Sequence, residues 1–121
     1  MATRIELRNP THKELREFLA RDETDSKRYV AGEYVSFDFA VELNNNAEAN
    51  GNRAAYVAIF SKEWGHGTVA FETIDKGLIF IEAQSDKEAK LVVGEPYPWY
   101  SLVTISPLGY FNPIVEIQII W

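Results

Sequence analysis

Hydrophobic and polar positions divide the chain into a helical amino-terminal part and a strand-rich remainder. Three apolar residues in the amino-terminal part follow the i, i+3, i+4 spacing of one helical face: Leu15, Phe18 and Leu19. Thr11 and Glu14 have the spacing of a capping box, and Pro10 suits a first helical position. A first helix is therefore predicted to begin within a residue of Thr11 and to end near Arg21.

A second helix is predicted over about residues 36–50. Its apolar positions again follow a helical period: Phe39, Ala40, Leu43 and Ala47. Ser36 is a natural N-cap, and Asp38 places negative charge in the first turn, where the helix dipole favours it. The Asn50-Gly51 pair predicts the end of the helix, because glycine adopts the left-handed conformation that closes one.

From Arg53 onward the apolar period becomes that of β-strands. Six short runs are predicted to be strands: 54–60, 68–73, 78–83, 89–93, 102–105 and 114–121. The sequence Asp75-Lys76-Gly77 predicts the turn of a hairpin between two of them. Helices followed by hairpin-linked strands indicate an α+β fold, with the helices packed on an antiparallel sheet.

Composition narrows the class of protein. The chain has 121 residues, which fits a single domain over residues 1–121, and 12 basic against 18 acidic side chains. Without a basic cluster, nucleic-acid binding is not expected. There is no cysteine, and the histidines His12 and His66 lack metal-ligand spacing, so neither a metal nor another cofactor is predicted. Apolar runs too short for a membrane helix and an amino terminus unlike a signal peptide favour a cytoplasmic protein.

Ser36 is the first candidate for chemistry because it is predicted at the start of a helix. Free backbone N–H groups and the positive end of the helix dipole meet there and can hold an oxyanion. A serine hydroxyl is too weak an acid to be ionised by this field, so Ser36 requires a general base. His66, which lies between Gly65 and Gly67 at the entry to a predicted strand, is the candidate base.

Three acidic residues are candidates for orienting His66. Glu72 lies six residues along the same strand, about 20 Å away at about 3.3 Å per residue, which is out of reach. Glu82 and Asp86 follow the hairpin turn, on the strand that doubles back. A symmetric turn about Lys76 places Asp86 opposite His66. Glu82 then requires a bulge or a register shift, so spacing alone leaves both acids open.

An ordered set of motifs resembles the transglutaminase-like superfamily, which has the papain-like cysteine-peptidase fold. Residues 32–40 (GEYVSFDFA), a helix ending at Gly51, and residues 53–57 (RAAYV) are similar to its core. The Gly65-His66 pair and residues 78–82 (LIFIE) match the next two blocks of the family pattern in order. The similarity covers about residues 29–86, and it selects Glu82 over Asp86.

The resemblance implies a catalytic set of Ser36, His66 and Glu82 for acyl transfer or amide hydrolysis. It also implies a peptide or a glutamine-containing protein as the substrate. Ser36 stands where the family has its nucleophilic cysteine, and Glu82 stands where it usually has aspartate. Without a thiolate, the site is expected to be inactive or weakly active.

Other interpretations remain open for the same residues. Ser36 as a simple N-cap would leave a noncatalytic module that binds peptide or carbohydrate. The aromatic cluster Tyr97-Pro98-Trp99-Tyr100 is a candidate stacking platform for such a ligand, although packing over a core is the commoner fate of such a cluster. An active serine hydrolase is a third interpretation, and it requires His66 to be a true base for Ser36. The sequence predicts no particular oligomeric state.

Overall fold

Two helices and a five-stranded antiparallel sheet form the structure, a computed structural model that describes residues 6–98 and 112–121. The sheet has the strand order β4-β3-β2-β1-β5. The helices are α1 His12–Arg21 and α2 Ser36–Ala49, and a 3-10 turn at Thr24–Ser26 follows α1. The strands are β1 Ala55–Phe60, β2 Gly65–Thr73, β3 Gly77–Glu82, β4 Lys87–Ala89 and β5 Glu116–Ile120. The predicted α+β class is confirmed.

The capping box predicted for α1 is present. Thr11 Oγ1 accepts from Glu14 N at 3.1 Å, and Glu14 Oε1 accepts from Thr11 N at 3.0 Å. Two of the orphan N–H groups at the start of the helix are thereby satisfied. Pro10 precedes the cap rather than occupying the first helical position. The predicted apolar face is buried: Leu15, Phe18 and Leu19.

The N-cap predicted for α2 is wrong by one residue. Val35 is the cap, because its backbone is extended and its carbonyl accepts from the N–H groups of Asp38 and Phe39. The Asp38 carboxylate in turn accepts from Val35 N at 2.8 Å. Ser36 is the first residue inside the helix, so its hydroxyl is not needed to cap it. The predicted stop at Gly51, which has φ +82°, agrees with a helix that ends at Ala49.

The strands differ from the prediction at two places. β2 begins three residues earlier than expected and takes in Gly65, His66 and Gly67. β4 lies at Lys87–Ala89 instead of 89–93, because a tight turn after Glu82 brings the chain back at once. Its charged residues do not resemble a strand in the sequence, but an edge strand tolerates them. The strand predicted at 102–105 lies outside the described residues.

Both faces of the central strands are covered. The helix-side face packs against α1 and α2 and consists of Val69, Phe71, Ile79 and Ile81. The opposite, Tyr97-side face packs against Trp64, Tyr97 and Ile114 and consists of Ala55, Val57, Ile59, Ala70 and Phe80. Since successive side chains on a strand point to opposite faces, the even-numbered residues of β2 belong to the Tyr97-side face.

Candidate functional site

The register of the β2–β3 hairpin decides which acid meets His66. Thr73 pairs with Gly77 and Val69 with Ile81, so the turn is centred on Asp75 rather than on Lys76. Gly77, at φ +70°, adopts the left-handed conformation common after a three-residue hairpin loop.

The observed register moves the pairing by two residues from the symmetric turn about Lys76. If this register is continued by one residue beyond the Val69–Ile81 pair, Glu82 lies beside Thr68 and diagonal to His66. Diagonal neighbours on one sheet face lie within reach of long side chains. The length of the glutamate side chain suits this diagonal reach.

His66 and Glu82 form a buried hydrogen-bonded pair. The Nε2 atom of His66 bonds to Glu82 Oε1, and the two side chains are 4% and 0% exposed. Glu82 Oε1 also accepts from the Tyr97 hydroxyl at 2.7 Å, and Glu82 Oε2 accepts from Gln84 N at 2.8 Å. Three donors thus compensate the carboxylate for its lost hydration. Of the two acids that spacing left open, the structure pairs Glu82 with His66.

Tyr97 is the member of this cluster that sequence reasoning missed. It is only 2% exposed, and its ring centre lies 4.6 Å from that of His66, at an interplanar angle of 58°. Trp64 meets Tyr97 edge-on, with ring centres 6.3 Å apart. Burial removes Tyr97 from the candidate stacking platform on the surface; Trp99 and Tyr100 lie outside the described residues. The residue type itself is a signal for this role, because the hydroxyl of a buried tyrosine usually has a hydrogen-bond partner.

Ser36 approaches the same part of β2 from the helix side. Its hydroxyl oxygen accepts from Gly67 N at 3.3 Å, and the residue is 8% exposed. β3 pairs with β2 only from Val69 onward, so the Gly67 N–H lies beyond the paired stretch. Ser36 satisfies this backbone donor instead of an N–H of its own helix.

Gly67 sets how closely α2 approaches the sheet. A Cβ atom at this position would lie 2.9 Å from Phe37 Cδ1 and 3.0 Å from Phe37 Cα, closer than side-chain carbons approach such atoms in proteins. Only glycine therefore allows the start of α2 to reach the strand. The hydroxyl of Ser36 lies on the helix-side face of β2, and the imidazole of His66 lies on the Tyr97-side face. The Gly67 backbone therefore stands between them.

The three predicted site residues thus lie in one neighbourhood, joined in two ways. His66 and Glu82 are bonded directly, whereas Ser36 contacts the backbone of the residue after His66. A neutral imidazole that donates its Nε2 proton to Glu82 carries its lone pair on Nδ1. In that tautomer, the bond to Glu82 fixes the orientation of the imidazole ring.

Asp86, the alternative acid, serves a different part of the fold. It is buried in the turn after β3 at φ +60°, and its carbonyl accepts from Arg16 Nη1 at 2.8 Å. Burial, together with the nearby carboxylates of Asp25 and Asp22, raises the pKa of Asp86 to about 7. The protonated form of Asp86 is therefore favoured, because a second charge close to Asp25 and Asp22 in a buried turn is costly.

Replacing Asp86 with asparagine is expected to stabilise the protein at alkaline pH. The folded protein holds a proton, with a pKa of about 7, that the unfolded chain releases near 3.8, so stability falls as pH rises between these values. Asparagine tolerates a positive φ and removes the charge. We expect a gain of about 1–2 kcal/mol at pH 8 that shrinks towards pH 4, measured by urea unfolding.

Asp75→Asn is the matched control with the opposite sign. The His12 N–H donates to Asp75 at 2.8 Å and lowers the pKa of that carboxyl. The charged form therefore favours the folded state, and the variant is expected to lose stability at neutral pH but not at low pH. If Asp86→Asn loses stability throughout the range, the pKa of Asp86 is not raised in the folded protein.

Comparisons of the chain with protein-family models, with curated proteins and with solved structures find no match. Across residues 6–98 and 112–121, no group of three or more histidine and acidic side chains is arranged to hold a metal ion. None of the helices in those two ranges has the length and apolar character of a membrane span. The transglutaminase-like resemblance accordingly stays a prediction.

Proposed function

We propose that the chain is a transglutaminase-like domain whose acyl-transfer site is formed by Ser36, His66 and Glu82 and is inactive or weakly active. The observation that carries the proposal is the buried His66–Glu82 pair beside the contact between Ser36 and Gly67. The three residues are separated by 30 and 16 positions in the chain; His66 and Glu82 pair on the Tyr97-side face of the sheet, and Ser36 contacts the backbone of the residue after His66 from the helix side.

The reaction for such a site is attack on a glutamine side-chain amide or a peptide carbonyl. The nucleophile at position 36 forms a bond to the carbonyl carbon and gives its proton to Nδ1 of His66. Glu82 holds the ring through Nε2 and stabilises the imidazolium. The C–N bond then breaks as the imidazolium returns the proton to the leaving amine, and water or another amine resolves the acyl-enzyme. Free N–H groups at the start of α2 suit the negative oxygen.

Serine at position 36 accounts for the low activity in this proposal. Its hydroxyl remains protonated at neutral pH, so it lacks the thiolate–imidazolium ground state on which a cysteine site relies. Its oxygen is already engaged by Gly67 N, on the other side of the backbone from the imidazole. For a proton to pass from Ser36 to His66, the hydroxyl and the imidazole ring must approach each other past the Gly67 backbone.

A noncatalytic module that binds peptide or carbohydrate on the same fold is the second candidate function. One observation favours it: Ser36 is buried and its hydroxyl is used by the fold. Both candidates allow a peptide ligand, but only the first requires chemistry at position 36.

A fluorophosphonate probe tests for residual activity. The probe loses fluoride when a serine oxygen attacks its phosphorus, and intact mass records the adduct. We expect the wild-type protein to label slowly and Ser36→Ala or His66→Ala not to label. Fast labelling that depends on His66 would mean an active serine hydrolase and would contradict the proposed loss of chemistry. Complete absence of labelling would fit both an inactive site and the noncatalytic module, and the alkylation of Ser36→Cys then separates the two.

A further inference from the structure

One oxygen atom of Glu82 receives two side-chain donors. Oε1 accepts from the Tyr97 hydroxyl at 2.7 Å and bonds to His66 Nε2. We infer that Tyr97 is a positioning residue, which holds Glu82 so that Glu82 in turn fixes the ring of His66. The catalytic meaning of this inference rests on the proposed function, whereas its geometric content can be tested without any activity.

Glu82 needs to be held because it reaches His66 diagonally across the sheet. A glutamate side chain has more rotatable bonds than aspartate, and ordering it has an entropic cost. Gln84 N fixes one carboxylate oxygen at 2.8 Å, and the Tyr97 hydroxyl fixes the other. With both oxygens held, the carboxylate presents Oε1 to the imidazole in one orientation.

Tyr97 also contacts the imidazole itself. Its ring centre is 4.6 Å from that of His66, and Trp64 packs edge-on against the Tyr97 ring at 6.3 Å. The aromatic ring therefore covers the histidine while its hydroxyl reaches the acid. A single side chain from outside the sheet limits the movement of both members of the pair and keeps water from the bond between them.

Histidine NMR of Tyr97→Phe tests the inference against a purely structural role. In the wild-type protein, the ring nitrogens of neutral His66 should show one tautomer, with the proton on Nε2. Without the Tyr97 hydroxyl, we expect the ratio of the two tautomers to change by about fivefold or more, the equilibrium shift supplied by one net hydrogen bond. A folded Tyr97→Phe variant with unchanged His66 signals would overturn the inference.

Tyr34→Phe is the matched control. The Tyr34 hydroxyl donates to Glu42 Oε2 at 2.6 Å, so the substitution removes a tyrosine–glutamate bond of similar length that ends on α2. Its stability is expected to fall, but the His66 signals should stay as in the wild-type protein. A similar change of the His66 tautomer in both variants would mean a general loosening and would also overturn the inference.

A second measurement covers the case in which Tyr97→Phe does not fold. In the wild-type protein, the Tyr97 hydroxyl proton should exchange slowly with water and should lie close to the His66 Nε2 proton by the nuclear Overhauser effect. Rapid exchange of that hydroxyl proton would overturn the inference. Neither NMR measurement uses the reactivity of position 36, so an unreactive thiol in Ser36→Cys would remove the proposed function and leave this inference standing.

Discussion

Replacing Glu82 with alanine is expected to lower the free energy of unfolding by about 3–5 kcal/mol, because it leaves buried hydrogen-bond donors unsatisfied and opens a cavity. The substitution removes the acceptor of two buried donors, His66 Nε2 and the Tyr97 hydroxyl, and of the partly buried Gln84 N. Each unsatisfied buried group costs about 1–3 kcal/mol, and a cavity adds to the loss. Since small domains have only about 5–15 kcal/mol of stability, the variant should be close to unfolding.

Urea unfolding measures this loss, with two comparison variants. Glu82→Gln keeps the shape, and its amide oxygen can accept from Tyr97 and His66. Its NH₂ group then faces the Gln84 N–H donor, so we expect an intermediate loss of about 1–3 kcal/mol. Glu72→Ala, on β2 and only partly buried, should cost less than about 1 kcal/mol. A loss below about 1 kcal/mol for Glu82→Ala would contradict the buried network.

Gly67→Ala is expected to destabilise the protein by about 1–3 kcal/mol, the usual cost of overpacking. The added methyl group would lie 2.9 Å from Phe37 Cδ1 and 3.0 Å from Phe37 Cα. The aromatic ring can rotate away, but the overlap with the Phe37 backbone is relieved only if the start of α2 moves. Such a movement also lengthens the bond between Ser36 Oγ and Gly67 N, now 3.3 Å. Urea unfolding and the amide signal of residue 67 measure the two effects.

Gly65→Ala provides a control on the same strand. A Cβ atom there would lie 3.6 Å from Phe37 Cζ and 3.7 Å from Phe60 Cδ1, which are ordinary van der Waals distances. We expect a change within about 0.5 kcal/mol. Adding Phe37→Ala to Gly67→Ala should not restore full stability, because the overlap with the backbone persists. Equal stabilities for the two glycine variants would refute the close approach of α2.

Most of the fold follows from short-range patterns. The capping box of Thr11 and Glu14 and the helical spacing of Leu15 and Phe18 depend on neighbours within one turn, so the sequence predicts α1 nearly to the residue. The cap predicted for α2 is wrong because the oxygen of Ser36 is used by β2, a partner 31 positions away. Such a tertiary contact overrides the preference of serine for the N-cap, and the spacing of residues within α2 does not reveal it.

The sequence predicted the residues Ser36, His66 and Glu82, but it could not predict how their side chains are arranged. Spacing left Glu82 and Asp86 open, because a two-residue difference in hairpin register decides between them. The resemblance to transglutaminase-like proteins selected Glu82, and the structure pairs it with His66. Packing over a core is a fate that the sequence allowed for Tyr97, but its bond to Glu82 could not be foreseen, since Tyr97 comes from a segment outside the sheet and meets Glu82 only through packing.

Alkylation of Ser36→Cys by iodoacetamide tests most directly whether the site retains the geometry of a nucleophile and its base. Intact mass would follow the rate from about pH 5 to pH 9, a range that spans ordinary and activated thiols. Two further variants, first shown to be folded, complete the comparison: Ser36→Cys combined with His66→Ala, and Ser26→Cys, which reports an exposed thiol. We predict fast alkylation of Ser36→Cys at acidic pH that disappears without His66. Alkylation that rises only towards the ordinary thiol pKa of about 8.5 and is unaffected by His66→Ala would contradict a surviving catalytic dyad.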